Sequence, residues 1–407
     1  MEPIRAIDGS RVDTQGGAMT ARSRRRAMIA LALVVLILSV ACAGGEEPGQ
    51  EGQGEGEVLT LGVMAPMTGD YSSYGVDWNT ATELAVKEIN EAGGCDGNTF
   101  ETTAADTLGD PKEGVSAANQ LVAQDVFASI GPVFSGVSLP VTDIFERVSI
   151  PSFLGSSATD ITERGFRAVF RMAFRDDQAG SFDAQIARET MGAQSAVVIH
   201  DNTAFAKGLA DEFGKAFEEM GGEVASVEVI TPGEKDYTST LTKAKGLGPD
   251  LVYYSGYFAE GGLLAKQGKE LGIEKPGPGT GWLFGNSNYD PTFIDIAGDA
   301  GNGTLFGTWP SPETDPAMAD YLERYRAEYG KDPGTLGHWA YDAVYVLCEA
   351  IKQVGPDREA VIETLHSPDF SYDGVSGPIQ FDEKGDRTFP PLDIVTIEAG
   401  QFQVYSG

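Results

Sequence analysis

The sequence predicts an α/β protein made of two doubly wound parallel-sheet units of similar size. Three observations point there. At 407 residues the chain exceeds one ordinary domain and suggests two. Short apolar runs alternate with amphipathic stretches in the order βαβαβαβ, the signature of a parallel sheet with right-handed crossovers. Past Ala168 the alternation starts again.

Taken in order, the first stretch reads as an address. Arg22, Arg24, Arg25 and Arg26 precede an apolar run over residues 27–40, too short for a comfortable membrane span. Ser39-Val40-Ala41 then leads to Cys42, the layout of a signal peptide over residues 1–41. It resembles a bacterial lipoprotein signal, in which Cys42 is lipidated and becomes the first mature residue. Ser39 stands where such signals usually carry leucine, and Met19 and Met28 are alternative starts. Residues 42–57, rich in Gly and Glu, hold no apolar anchor and read as a flexible, self-repelling acidic tether.

Residues 58–65 (VLTLGVMA) are a first strand, ended by Pro66, and a loop leads to a helix over residues 76–91 closed by Gly93-Gly94. The second strand is residues 100–105. Asp110 and Pro111 open the next helix, Asp at the cap and Pro in the first turn, and it runs to about Gln124. Strands at 127–130 and 149–154 follow, with an apolar-periodic segment from Ser135-Gly136 to Val148 between them. In the second unit, strands at 168–172, 195–200, 223–230, 251–254 and 282–284 alternate with helices over 176–191, 205–220, 237–245 and 260–271. After residues 303–307, which carry no assigned element, helices cover 316–329, 337–354 and 358–365. Strand-like pieces close the chain at 377–381, 393–398 and 401–405.

Residues 127–162 hold the strongest functional signal. Both strands in this stretch end in a Gly/Ser loop, one with Ser135-Gly136 and the other with Gly155-Ser156-Ser157. Ligands bind outside the carboxyl ends of the strands in an open parallel sheet. There, free N–H groups of a following helix and serine hydroxyls make a place for a carboxylate or phosphate. The competing reading makes Ser135 and Ser157 ordinary helix N-caps.

Composition and missing motifs narrow the function. A hydrophobic fraction of 41% is enough for real cores. The 61 acidic against 29 basic residues make a surface that repels nucleic acid and anionic membranes. No G-x-G-x-x-G or P-loop follows the first strand, so no nucleotide cofactor is expected. His200, His338 and His366 are far apart, which gives a histidine-built metal site no support. No G-x-S-x-G elbow precedes a helix. The expectation is a binding protein, not an enzyme.

Several stretches then carry a resemblance: APMTGDYSSYG, AVKEINEAGG, GDPKEGVSAANQLV, SSATDITERG, PGEKDYTSTL, LVYYSGYFAEGG, WAYDAV and VSGPIQFDEKGD. Spread over nearly all of residues 58–407, they resemble the branched-chain amino-acid-binding proteins of bacterial ABC importers, which are type I periplasmic binding proteins. The resemblance implies two lobes joined by three crossovers, with a ligand cleft between them. Lobe I is then residues 58–175 and 306–388, and lobe II residues 176–305 and 389–407. It implies a solute-binding lipoprotein, anchored outside the cytoplasm, that closes on an amino acid or related small carboxylate or amide and delivers it to an ABC permease. For this role a monomer is expected, without cofactor, metal or nucleic-acid partner. An alternative from another class is a ligand sensor signalling to a membrane partner.

Residue by residue, the resemblance places Ser135 and Ser157 on the ligand's carboxylate, with Gly155 and Ser156 offering backbone groups. Tyr74 matches an aromatic that packs on the ligand, and Tyr257 a tyrosine that closes over it; each could equally be a half-buried core ring. Phe205 stands where the family often has tyrosine. Where a family carboxylate takes the ligand's ammonium, this chain has Asn286 or Ser287, with Asp290 nearby. The cysteine pair of some members is replaced by Gly109 and Phe134. Cys95 follows the first helix, and Cys348 lies on the helix containing WAYDAV, which in the family returns to the first lobe. In a compartment that permits disulfides the two are expected to pair, the alternative being two separate buried thiols.

Overall fold

Two parallel sheets organise the chain in the computed structural model, which describes residues 56–273, 281–309, 316–388 and 392–407. The first sheet holds β1 (Val58–Ala65), β2 (Thr99–Asp106), β3 (Ala128–Ile130), β4 (Ser152–Leu154) and β5 (Val169–Arg171). Its order is β2-β1-β3-β4-β5, and every pairing is parallel. The helices between them are α1 (Ser72–Glu91), α2 (Pro111–Ala123) and α3 (Ser135–Glu146). All residues of β3, β4 and β5 are buried, as expected for strands covered on both faces.

The second sheet takes β6 (Ser195–His200), β7 (Glu223–Val229), β8 (Leu251–Tyr254), β9 (Gly281–Phe284), β10 (Leu305–Thr308), β13 (Asp393–Glu398) and β14 (Gln401–Val404). The order is β14-β13-β10-β9-β8-β6-β7, parallel except at one edge, where β13 runs antiparallel to both β10 and β14. Its helices are α4 (Asp176–Gln185), α5 (Ala204–Glu219), α6 (Thr238–Gly246), α7 (Phe258–Glu270) and α8 (Pro291–Ala297). Then α9 (Pro316–Tyr329), α10 (Gly337–Val354) and α11 (Arg358–Leu365) come before a small antiparallel pair, β11 (Tyr372–Gly374) and β12 (Gly377–Ile379).

Element order makes the chain pass between the sheets three times: after β5, after β10 and before β13. The second passage returns α10 to pack against α1. Buried Asp77 on α1 fixes that return by accepting from the N–H groups of Gly334 (2.7 Å), Leu336 (2.9 Å) and Gly337 (2.6 Å). A second tie lies at the far end of the same helix pair, where Cys95 is joined to Cys348 with Cα atoms 5.5 Å apart.

Several local expectations change. The strand expected over 149–154 shrinks to β4, because Ser149 has φ +52° and Pro151 has no N–H to give a ladder. Helix α1 starts at Ser72, before the expected position, its first turn hidden in the sequence by Ser72, Ser73 and Gly75. The helix expected to Met191 ends as α-helix at Gln185 and continues as a π turn over Ile186–Thr190. Residues 306–308, expected in the first lobe, pair with β9 and β13 inside the second sheet. This strand escapes a hydropathy reading because of Gly307, where the helix packs so closely that a Cβ would lie 2.1 Å from the Asp183 carboxylate. The signal stretch, with Cys42, lies outside the described residues.

Candidate functional site

A small cavity opens between the two sheets, lined by residues that follow the carboxyl ends of strands in both. It brings together Tyr74, Ser135, Gly155, Ser157, Phe205, Tyr257, Asn286 and Ser287. The sequence reading had no role for the apolar wall that completes it: Phe134, Phe174, Trp309 and Trp339. Two expected residues, Ser156 and Asp290, are not part of its lining.

The first-lobe side is built from the two Gly/Ser loops. Ser135 is the first residue of α3 and not its cap; Phe134 holds the cap position and has no side-chain acceptor to offer. The Ser135 hydroxyl instead accepts from the N–H of Ala158 at 3.2 Å, tying one loop to the other. Ser157 lies outside a capping position too, since the following short helix starts at Thr159 with Ala158 before it. So neither serine is an N-cap.

Ser156 points away from the cavity. Its hydroxyl bonds Ser138 Oγ at 2.8 Å, and its carbonyl accepts from Arg171 Nη1 at 2.6 Å. Arg171 is fully buried behind the loop and also donates to the Ala158 carbonyl at 2.9 Å and to Asp386 Oδ1 at 2.6 Å. Burial alone would raise the Asp386 carboxyl, but Arg171, Arg175 and Thr162 hold it below its ordinary range. This ion pair shapes the loop without touching the cavity.

The second lobe supplies rings and amides. Tyr257 is the residue before α7, and Phe205 lies in the first turn of α5. Their ring centroids are 5.2 Å apart. Ser287 Oγ is committed to the Gly256 carbonyl at 2.7 Å. Asn286 is buried, 7% exposed, and its amide Nδ2 has no hydrogen-bond partner. Asp290 caps α8, accepting from the N–H of Thr292 at 2.8 Å, with Pro291 in the first turn. Burial raises its carboxyl against the pull of Thr292. It stands as a helix cap, outside the cavity lining.

The lobes touch through aromatic side chains. Phe134 and Tyr257 stack at 4.7 Å, Tyr71 meets Tyr257 at 5.1 Å, and Tyr74 meets Phe258 edge-on at 5.0 Å. Tyr74 OH donates to the Ser287 carbonyl, and Tyr71 OH to Glu260 Oε2 at 3.4 Å. Room for the Phe134 ring comes from Gly109, at φ +72°, where a Cβ would lie 2.9 Å from that ring. The two replacements at the absent cysteine pair therefore act together.

One carboxylate beside the cavity was missed by sequence reasoning. Asp176, the first residue of α4, is 1% exposed, and neither oxygen has a partner in regular hydrogen-bonding geometry. Burial pushes its carboxyl up to about 7, while neighbouring Ser157 and Arg171 pull the other way. Its sequence signal was only that of an acidic residue in a first helical turn. Among the described residues, no group of three or more His, Cys, Asp and Glu is placed to hold a metal ion. No described helix is long and apolar enough to cross a membrane.

A family model described as periplasmic binding protein matches residues 58–401. A Leu/Ile/Val-binding protein homologue of Brucella melitensis is 34% identical over 350 residues, covering 84% of this chain and 92% of that protein. The crystal structure of a leucine-binding protein, LivK, from Thermotoga maritima superposes with a TM-score of 0.79 at 30% identity, covering 86% of this chain and 98% of its own. The branched-chain amino acid transporter substrate-binding protein LivJ from Streptococcus pneumoniae, solved with isoleucine, gives 0.77 at 26% identity, covering 86% and 99%. The homologues are thus substrate-binding components of branched-chain amino acid ABC transporters. By its family match, its relatives and its paired parallel sheets, the chain belongs to the type I periplasmic binding proteins, in their leucine/isoleucine/valine-binding family.

Proposed function

We propose that this protein is an extracytoplasmic solute-binding lipoprotein of an ABC importer. It captures an amino acid, or a related small carboxylate or amide, by closing its two lobes on it. The closed form then engages a membrane permease. The single observation that carries this reading is the cavity shared by both lobes, with Ser135 and Ser157 on one side and Tyr257 and Asn286 on the other. A ligand that touches both sides stabilises the arrangement in which the lobes meet, which is how binding energy becomes closure. Residues 58–175 and the stretch of α9 to β12 form one lobe, and α4 to β10 with β13 and β14 the other.

Ser135 and Ser157 are assigned to the solute's carboxylate, with Gly155 beside them. Tyr74 and Tyr257 pack on its body, and Cys42 carries the lipid. The protein acts as a monomer and without a cofactor. The test is a thermal-shift panel on residues 58–407 with amino acids, amides and short organic acids, since a ligand specific to the folded state raises stability by mass action. A dose-dependent rise with one class, together with a more compact scattering profile, is the expected result. A flat response over the whole panel overturns the solute-binding assignment. Membrane release on Cys42→Ser tests the anchor, and an unlipidated native N-terminus elsewhere overturns it.

A further inference from the structure

We infer that the solute is an ammonium-free carboxylate with an apolar body and an acceptor oxygen, represented most simply by a branched-chain or aromatic 2-oxo acid. This deepens the solute-binding reading and rests on it. Three observations converge.

The first is charge. Among the described residues, none of the side chains lining the cavity is ionisable as a carboxylate, and none is a Lys, Arg or His. A zwitterion closed into this space takes an ammonium out of water with no carboxylate in the lining to meet it; Asp176 lies beside Ser157 but outside that lining. An unpaired buried charge is among the costliest things a protein can hold. Asp290, the nearest acidic residue by sequence, is committed to capping α8.

The second is the backbone field. Ser135, Phe205 and Tyr257 put three helix starts at the cavity, those of α3, α5 and α7, with 12, 16 and 13 residues. Each N-terminus carries a partial positive charge. Together they favour an anion and disfavour a second, cationic group beside it.

The third is a donor without an acceptor. Asn286 lines the cavity from the second lobe, 7% exposed, and its Nδ2 meets no acceptor. An ammonium brings only donors to that donor. A carbonyl oxygen on the solute satisfies it. An amide oxygen turned toward an ammonium could accept one hydrogen bond, but it supplies no charge. The rest of the wall, Phe134, Phe174, Trp309 and Trp339, suits a hydrocarbon body.

The experiment uses matched pairs that differ only at the second carbon: 4-methyl-2-oxopentanoate against leucine, and phenylpyruvate against phenylalanine. Calorimetry on the mature protein should give the oxo acid at least about tenfold tighter binding in one pair. Asn286→Asp should reverse the order, weakening the oxo acid and strengthening the amino acid, while circular dichroism stays unchanged. Tight binding of leucine or phenylalanine by the wild type, with the oxo acid weaker, overturns the inference and leaves the solute-binding reading intact. If Asp176→Asn then abolishes that amino-acid binding, the ammonium partner is Asp176. Silence of all four compounds overturns the inference as well, and the broad panel above decides separately whether the cavity binds any solute.

Discussion

The ring of Phe134 on the first lobe stacks on the ring of Tyr257 on the second, with centroids 4.7 Å and planes 22° apart. Aromatic pairs in such arrangements contribute about 0.5–1.5 kcal/mol beyond area burial. This pair also lines the cavity, so it couples lobe contact to solute contact.

Phe134→Ala should therefore weaken solute binding by roughly three- to tenfold and shift small-angle scattering toward a more open form. Thermal stability should fall little compared with a core truncation, since the ring sits at a lobe boundary. Unchanged affinity and an unchanged scattering profile would falsify the coupling.

Ser157→Ala and Ser135→Ala should differ in kind. Loss of a hydrogen bond to a charged group costs on the order of 1.5–3 kcal/mol, so Ser157→Ala should weaken binding of a carboxylate about ten- to a hundredfold with little change in melting temperature. Ser135→Ala also strips the Ala158 N–H of its acceptor, so stability should drop by about 1–3 kcal/mol as well. Calorimetry and denaturant titration on both variants separate the two effects. Equal behaviour of the two would refute the division of labour.

Asp176 gives a pH signature. Burial raises its carboxyl from the ordinary 3.8 to about 7 in the folded state. A raised acid holds its proton more tightly folded than unfolded, so stability is lost as pH climbs through that window and stays lost above it. Asp176→Asn removes the titration. The variant should match the wild type near pH 4 and exceed it at pH 8, by on the order of 2–4 kcal/mol for a fully buried group. A pH-independent difference in urea melts would rule this out.

Reduction of the bond between Cys95 and Cys348 opens a loop that spans 253 residues of sequence separation. Disulfides of small and medium proteins typically contribute about 2–4 kcal/mol. A double Cys95→Ser, Cys348→Ser variant should melt several degrees lower than the oxidised protein and be insensitive to reductant. Free-thiol titration on the native protein checks the pairing directly, and two reactive thiols after unfolding without reductant would exclude it.

How much of this was legible in the chain depends on the reach of the signal. Alternation of apolar runs and amphipathic stretches determined the α/β class, because each period reports a local backbone geometry that burial then fixes. Asp110-Pro111 announced α2 for the same local reason, and the capping bonds are there. The identical pair Asp290-Pro291 announced α8 just as plainly, but it was read as ligand chemistry, and the fold uses it as a cap. The Gly/Ser loops at 135 and 155–157 were visible as close-approach chain next to strand ends, which is again local.

What tertiary structure alone decided is which of those groups face each other. Ser156 and Ser157 are neighbours in sequence, yet one bonds Ser138 behind the loop and the other lines the cavity. Phe134 was noted only as a lost cysteine until Tyr257 met it from the other lobe. Asp176 looked like any acid in a first turn, and only burial without a regular partner sets it apart. Strand β10 was invisible because its glycine yields to Asp183 of a helix far away in sequence. Periodicity records how a segment meets its own core; it carries no record of which distant surface will close over it. That is set by chain crossings and packing between lobes, where partners lie more than a hundred residues apart.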